Sequence, residues 1–185
     1  MKAQIKDIID INTKCAEFWG SAGGWAPTQA ADLLSKSRLD WQVSLSQTLY
    51  LWSPEDTSSM SDGSLILAWA NLGALAEGTS KLLLSVYYMD YIEDIETLKY
   101  SNAYGNKSKK KKDPDGLSLD KLRKFFVKKQ IFDERIMSFF ELIQKRRNAI
   151  HAYEDRPLGN RNEFFKAVDD YLYFLRDVDG RLPYP

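Results

Sequence analysis

The stretch SDGSLILAWANLGALAEGTSKLLLSVYYMDY, residues 61 to 91, decides the fold. Leu65, Ala68, Trp69, Leu72, Leu75, Ala76, Leu82, Leu83 and Val86 return at the spacing of an α-helix whose apolar side is broad. So many apolar positions imply the central, most buried helix of the chain. Ser61 or Asp62 opens it as an N-cap, and it is expected to run to about Tyr91.

Working outward, the same period recurs on both sides. Ile5, Ile8, Ile9, Cys15 and Trp19 mark a helix from Ala3 to Trp19, and the glycines and proline of SAGGWAP stop it. Thr28 can cap a long second helix whose one face is Leu34, Trp41, Leu45, Thr48, Leu49 and Trp52; Ser53-Pro54 closes it, because proline disfavours a helical residue before it. Trp41, Trp52 and Trp69 are expected in the core. After the loop SPEDTSSMSDGS and the central helix, a short helix resumes at Ser118 in SLDKLRKFFVKKQ. Asp133 then caps DERIMSFFELIQKRRNAIHAY, and Asn160 with Glu163 forms a capping box for NRNEFFKAVDDYLYFLRD. No segment alternates as a strand does, and no repeat is visible. The expectation is all-α: one domain over residues 1–185, an up-and-down bundle of five or six helices.

Composition narrows the function classes. The chain has 185 residues, 44% of them hydrophobic, enough for one substantial core. Its 26 basic and 26 acidic side chains cancel, so no global field would hold it on DNA or on an anionic membrane. The longest apolar run, LILAWA, is too short to span a bilayer, and the first residues lack the apolar core of a signal peptide. The expectation is a cytoplasmic protein with no membrane partner. One cysteine, Cys15, forbids an internal disulfide, and one Cys with one His excludes the usual Cys/His zinc sites. No glycine-rich phosphate loop is present, which argues against nucleotide hydrolases and dinucleotide enzymes. No metal and no cofactor is expected.

Charge is balanced but segregated. Residues 107 to 130 hold ten basic side chains against three acidic ones, a local +7 that the rest of the chain offsets. The part NKSKKKKDPDG repels itself and contains Pro and Gly, so residues 101–116 are expected to form a mobile loop. Lys109, Lys110, Lys111 and Lys112, beside Tyr100 and Tyr104, can hold an RNA backbone while a base stacks on tyrosine; a solvated lysine loop is the plain alternative. Asp90, Glu93, Asp94 and Glu96 form an acidic cluster at a helix end without evident ligand geometry, and a solvated surface is the favoured reading. Glu77 and Lys81, four apart, form a helix ion pair.

The only histidine lies in QKRRNAIHAY, residues 144 to 153. The apolar stripe Ile136, Phe139, Phe140, Leu142, Ile143 runs into Arg146 and Arg147 before Ile150 restores it. On a continuous helix Arg147 lies about 40° and Asn148 about 60° from His151, on opposite sides, with Arg146 about 140° away. Arg147, Asn148 and His151 then make one polar patch: a proton-exchanging imidazole beside a guanidinium that clamps phosphate through two donors. The alternative is that the arginines complement the helix macrodipole at its C-terminus and His151 packs against a neighbour.

These residues resemble the HEPN superfamily, helical-bundle proteins with an R-x(4 to 6)-H motif. Arg146 to His151 is R-x4-H, and Tyr153 matches the H-x-Y ending of several branches. The stretch WANLGALAEGTSKLLLSVYYMDY is similar to the earlier helix of uncharacterised bacterial HEPN-like proteins, where a glutamate, here Glu77, interrupts an apolar helix. The chain departs from the pattern in one place: the residue after the motif arginine is usually asparagine, whereas here it is Arg147, with Asn148 one place later.

The resemblance implies metal-independent RNA cleavage. The ribose 2′-hydroxyl attacks the adjacent phosphate, His151 moves the proton, and Arg146 or Arg147 stabilises charge on the phosphoryl oxygens. Asn148 belongs to the same catalytic set, with Tyr153 and Glu77 in support. It also implies a homodimer that joins two motif helices in one cleft, single-stranded RNA as substrate, and a toxin or defence effector with an antitoxin or regulatory protein as partner. The rival reading is a HEPN-like bundle that binds RNA, a nucleotide or a partner protein without cleaving. An exposed Arg–His cleft shared by two subunits favours cleavage; a motif paired with carboxylates inside one subunit favours binding.

Overall fold

The computed structural model describes residues 1–53, 60–105, 108–151 and 155–184. Among them it is all-α, and the only extended pairing is a single antiparallel bridge between Tyr104 and Lys111. The broad apolar period that begins at Leu65 belongs to α4, Asp62–Val86, and Ser61 caps it by accepting from Ser64 N–H at 3.2 Å. Trp69, Leu72, Leu75 and Ala76 are fully buried, as a helix apolar on most sides requires. A buried indole N–H also needs a partner inside, and that of Trp69 donates to the Leu158 carbonyl at 2.8 Å. α4 stops earlier than the expected Tyr91. Tyr87 leaves the helical region (φ −94°, ψ 39°), its hydroxyl donates to the Arg181 carbonyl, and the chain turns into the short helices α5, Tyr88–Glu93, and α6, Ile95–Tyr100.

Four further helices build the body: α1, Lys2–Trp19; α7, Leu119–Lys129; α8, Glu134–Arg147; and α9, Arg161–Arg181. Phe126, Phe132, Phe139, Phe140, Tyr171 and Phe174 interlock between α7, α8 and α9, mostly in edge-to-face and tilted pairs, with centroids 4.8 to 6.5 Å apart. Contacts give the helix directions. Arg146 near the end of α8 meets Glu163 near the start of α9, and Asp120 near the start of α7 meets Gln144, so α7, α8 and α9 alternate up and down. Trp69 meets Phe164, and Tyr87 meets Arg181, so α4 and α9 are parallel. α4 and α7 therefore run the same way, a departure from strict alternation, and the segment between them returns along the bundle.

The second helix differs from the expectation. It is two helices, α2 (Thr28–Lys36) and α3 (Leu39–Gln47), followed by a 3₁₀ turn over Thr48–Trp52. Ser37 breaks it in extended backbone (φ −70°, ψ 143°), its hydroxyl donating to the Leu34 carbonyl at 2.6 Å. Serine supplies such a local bond in place of the helical ladder. Thr28 is the first helical residue rather than the cap, which is Pro27. The break re-aims α3, so Trp41 is 58% exposed, with the Arg38 guanidinium 4.0 Å over its ring, instead of in the core. Trp52 is half-buried at the core's edge, and Trp69 is fully buried.

The lysine-rich segment hangs on α5. Tyr91 donates to the Lys112 carbonyl at 2.6 Å, Lys111 Nζ to the Ile92 carbonyl at 2.7 Å, and Gly105 N–H to the Lys110 carbonyl at 2.8 Å. Pro114 is buried beyond it.

Candidate phosphate-binding site at the end of α8

α8 begins as the sequence predicts, with Asp133 Oδ1 accepting from Ile136 N–H at 2.9 Å. Ile136, Phe139, Phe140 and Ile143 are buried, and the next residue on that face is Arg146, also buried. A cation there needs full pairing. Arg146 has it: Nε and Nη2 each donate at 2.9 Å to the two oxygens of Glu163, and Nη1 donates to the Pro157 carbonyl. Gly159 makes room for this clamp. At φ +73° it sits where side chains are strained, and a Cβ would strike the Glu163 carboxylate and come within 3.1 Å of Arg146 Nε. Only half of the expected capping box forms. Asn160 Oδ1 accepts from Glu163 N–H at 3.0 Å, while the Glu163 carboxylate faces Arg146.

Arg147 points the other way, toward α4. Its stem lies on Gly73, where an added Cβ would come within 2.9 Å of Cδ, and its Nη1 donates to Glu77 Oε2 at 2.7 Å. The other Glu77 oxygen accepts from Lys81 at 2.9 Å. Burial disfavours the charge on Glu77, but the hydrogen bonds of Lys81 and Arg147 outweigh it, and its pKa lies below the ordinary glutamate value. The expected Glu77–Lys81 pair is thus the outer part of a three-membered chain that reaches the motif.

α8 ends at Arg147, earlier than the expected run to Tyr153. Asn148–Ile150 is a 3₁₀ turn, and His151 is non-helical (φ −87°, ψ 83°). Helix-wheel angles therefore do not relate His151 to the residues before it, and the expected patch is divided. Asn148 faces α7, lining a shallow crevice of about 280 Å³ with Arg123 and Glu141; Arg147 and Ile150 line another of about 190 Å³ with Ala70, Ala74 and Glu77. His151 is exposed, and Tyr153 lies outside the described residues. The turn lets residues 155–160 come back over α8 and α4, where the Pro157 and Leu158 carbonyls meet Arg146 and Trp69.

Among the lysines, Lys109 to Lys112 are all exposed; Tyr100 is 53% exposed, whereas Lys99 lies over the ring of Tyr104 at 5.5 Å. Among the described residues no group of three or more His, Cys, Asp or Glu side chains is placed to hold a metal ion, and no helix is long and apolar enough to cross a membrane. Sequence reasoning missed the partners rather than the motif. Glu163 read as a cap, and Gly73 and Gly159 carried no signal apart from being glycine. Comparison with protein-family models, with curated proteins and with solved structures finds no match.

Proposed function

We propose that this chain is a HEPN-like helical module that binds single-stranded RNA without cleaving it. The observation that carries this reading is that both motif arginines are paired with carboxylates of their own chain, Arg146 with Glu163 and Arg147 with Glu77. An arginine already neutralised inside the fold stabilises less of the charge that develops on a phosphoryl oxygen. Contact with RNA falls instead to the lysine turn, where Lys109 and Lys110 stand exposed, with Tyr100 also exposed at the end of α6. Lysines hold the backbone and tyrosine stacks a base without reading sequence.

Cleavage is the second reading, and one observation favours it. Among the described residues Arg147 engages only one terminal nitrogen, and His151 is exposed in the same short turn. A second copy would bring another such pair, and an RNA phosphate could then draw Arg147 from Glu77.

One assay separates the two. Purified protein is incubated in EDTA with end-labelled single-stranded RNA, and both retention of label and product ends are followed. Binding with intact RNA is the expected result. The slope of log affinity against log salt should become shallower by about 0.7 for each lysine–phosphate pair that Lys109→Gln or Lys110→Gln removes. Products ending in 2′,3′-cyclic phosphate that disappear in His151→Ala would replace this reading by the ribonuclease. Absence of binding at low salt would remove both.

A further inference from the structure

A cavity lies at the far end of the bundle from the motif. It has about 690 Å³ between the last turn of α4, α5, α7 and the end of α9. Leu83, Leu84 and Phe125 are buried side chains that reach its floor, and Ile131 completes the apolar wall. That volume is within the range of sites that take a small organic molecule.

Most polar groups around it are already engaged. Asp94 pairs with Lys129 at 2.8 Å, Arg181 with Asp177 at 2.5 Å, and the hydroxyls of Tyr91 and Tyr87 donate to backbone carbonyls. Two carboxylates differ. Asp90 and Glu93, one helical turn apart on α5, both line the cavity, both are exposed, and neither has a partner among the described residues. Asp90 and Glu93 put two like charges three residues apart on this short helix, an arrangement that repulsion disfavours. The cavity therefore joins an apolar, aromatic floor to a rim that holds Lys129 and Arg181, both already paired, and two carboxylates, Asp90 and Glu93, with no bonded cation among the described residues.

We infer that this cavity binds a small organic cation, an ammonium or guanidinium on an aromatic or aliphatic body, with Asp90 and Glu93 receiving the charge and Leu83, Leu84 and Phe125 the body. The aromatic rings of Tyr87 and Tyr91 beside the carboxylates add attraction for a cation and none for an anion. The lysine segment hangs on the same helix, α5, but neither its lysines nor the motif residues line this cavity, and the probes used below read the cavity without RNA.

The test uses three probes that share one body: 2-phenylethylammonium, 2-phenylethanol and 3-phenylpropionate, titrated into ¹⁵N-labelled full chain. The ammonium is expected to give saturable amide shifts at Leu83, Tyr91 and Phe125 in the millimolar range, with the alcohol and carboxylate at least about tenfold weaker. Asp90→Asn with Glu93→Gln, two exposed changes that leave the circular dichroism unchanged, is expected to weaken the ammonium by about tenfold and the alcohol little. Equal responses to all three probes, unsaturable shifts, shifts confined to other regions, or an ammonium affinity untouched by the double variant would each overturn the assignment.

Discussion

The two ends of the bundle solve the same electrostatic problem in opposite ways. At the α8 terminus the cations lie in or beside the core, and the fold brings a carboxylate to each arginine: Glu163 to Arg146 and Glu77 to Arg147. At the α4–α5 end, Asp90 and Glu93 line a cavity of about 690 Å³ and neither is bonded to a cation among the described residues. A buried charge left unpaired costs far more than an exposed one, so the first end had to be closed within the chain, and the second could stay open. The difference teaches that a conspicuous run of charges in a sequence marks what the fold must neutralise, and chemistry can remain available where the sequence looks ordinary.

Arg146→Ala breaks this comparison most severely. It leaves Glu163 and the Pro157 carbonyl without their donors, and about 3 kcal/mol of stability should be lost, a fall in melting temperature of roughly 10 °C for a chain of this size. A melting temperature within error of wild type would show that the closed end is not closed. The change at Arg147 should be smaller. Arg147→Ala removes one bond to a carboxylate that keeps Lys81, in a pair partly open to water, and about 1 kcal/mol is expected by chemical denaturation.

Glu77→Gln sharpens the comparison by pH. The folded Glu77 titrates below its unfolded value, so its contribution is complete above the ordinary glutamate range and is lost as pH falls through the lower folded value. Stability measured by urea melts from pH 7 down to about pH 3 should fall less steeply in the variant below about pH 4.5 than in wild type. Parallel curves would mean that Lys81 and Arg147 do not hold the charge. The smallest effect belongs to His151→Ala. His151 is exposed, its backbone N–H bonds to the Asn148 carbonyl whatever the side chain, and stability should change by less than about 0.5 kcal/mol. A larger loss would place the imidazole in the fold and not at its surface.

Much of the architecture was legible because helices announce themselves locally. Ser61 and Asp133 cap as read, Asn160 accepts from Glu163 N–H, and the apolar period of residues 65–86 marks the buried helix. The break at Ser37 was illegible because Leu34, Trp41 and Leu45 keep helical spacing across it, and period alone does not register one extended residue. Trp41 was misplaced for the same reason. The site was legible as residue types only. Arg146, Arg147 and His151 stand out on any reading, but their directions depended on where α8 ended, and that end answers to residues 155–160 returning over α8 and α4.

By itself the sequence determined that this chain is helical, where its longest helices begin, and that its charges are segregated, since capping, period and charge are written within a few residues of each other. Only the tertiary structure decided that Arg146 and Arg147, neighbours in the chain, turn to helices α9 and α4, that Glu163 serves an arginine across a gap of 17 residues, and that two carboxylates of α5 share a cavity with the ends of α4 and α9. The physical reason is distance along the chain. Hydrogen bonds that close a turn are chosen by adjacent residues, whereas the partner of a buried charge is whichever element the packing of the whole core brings within about 3 Å.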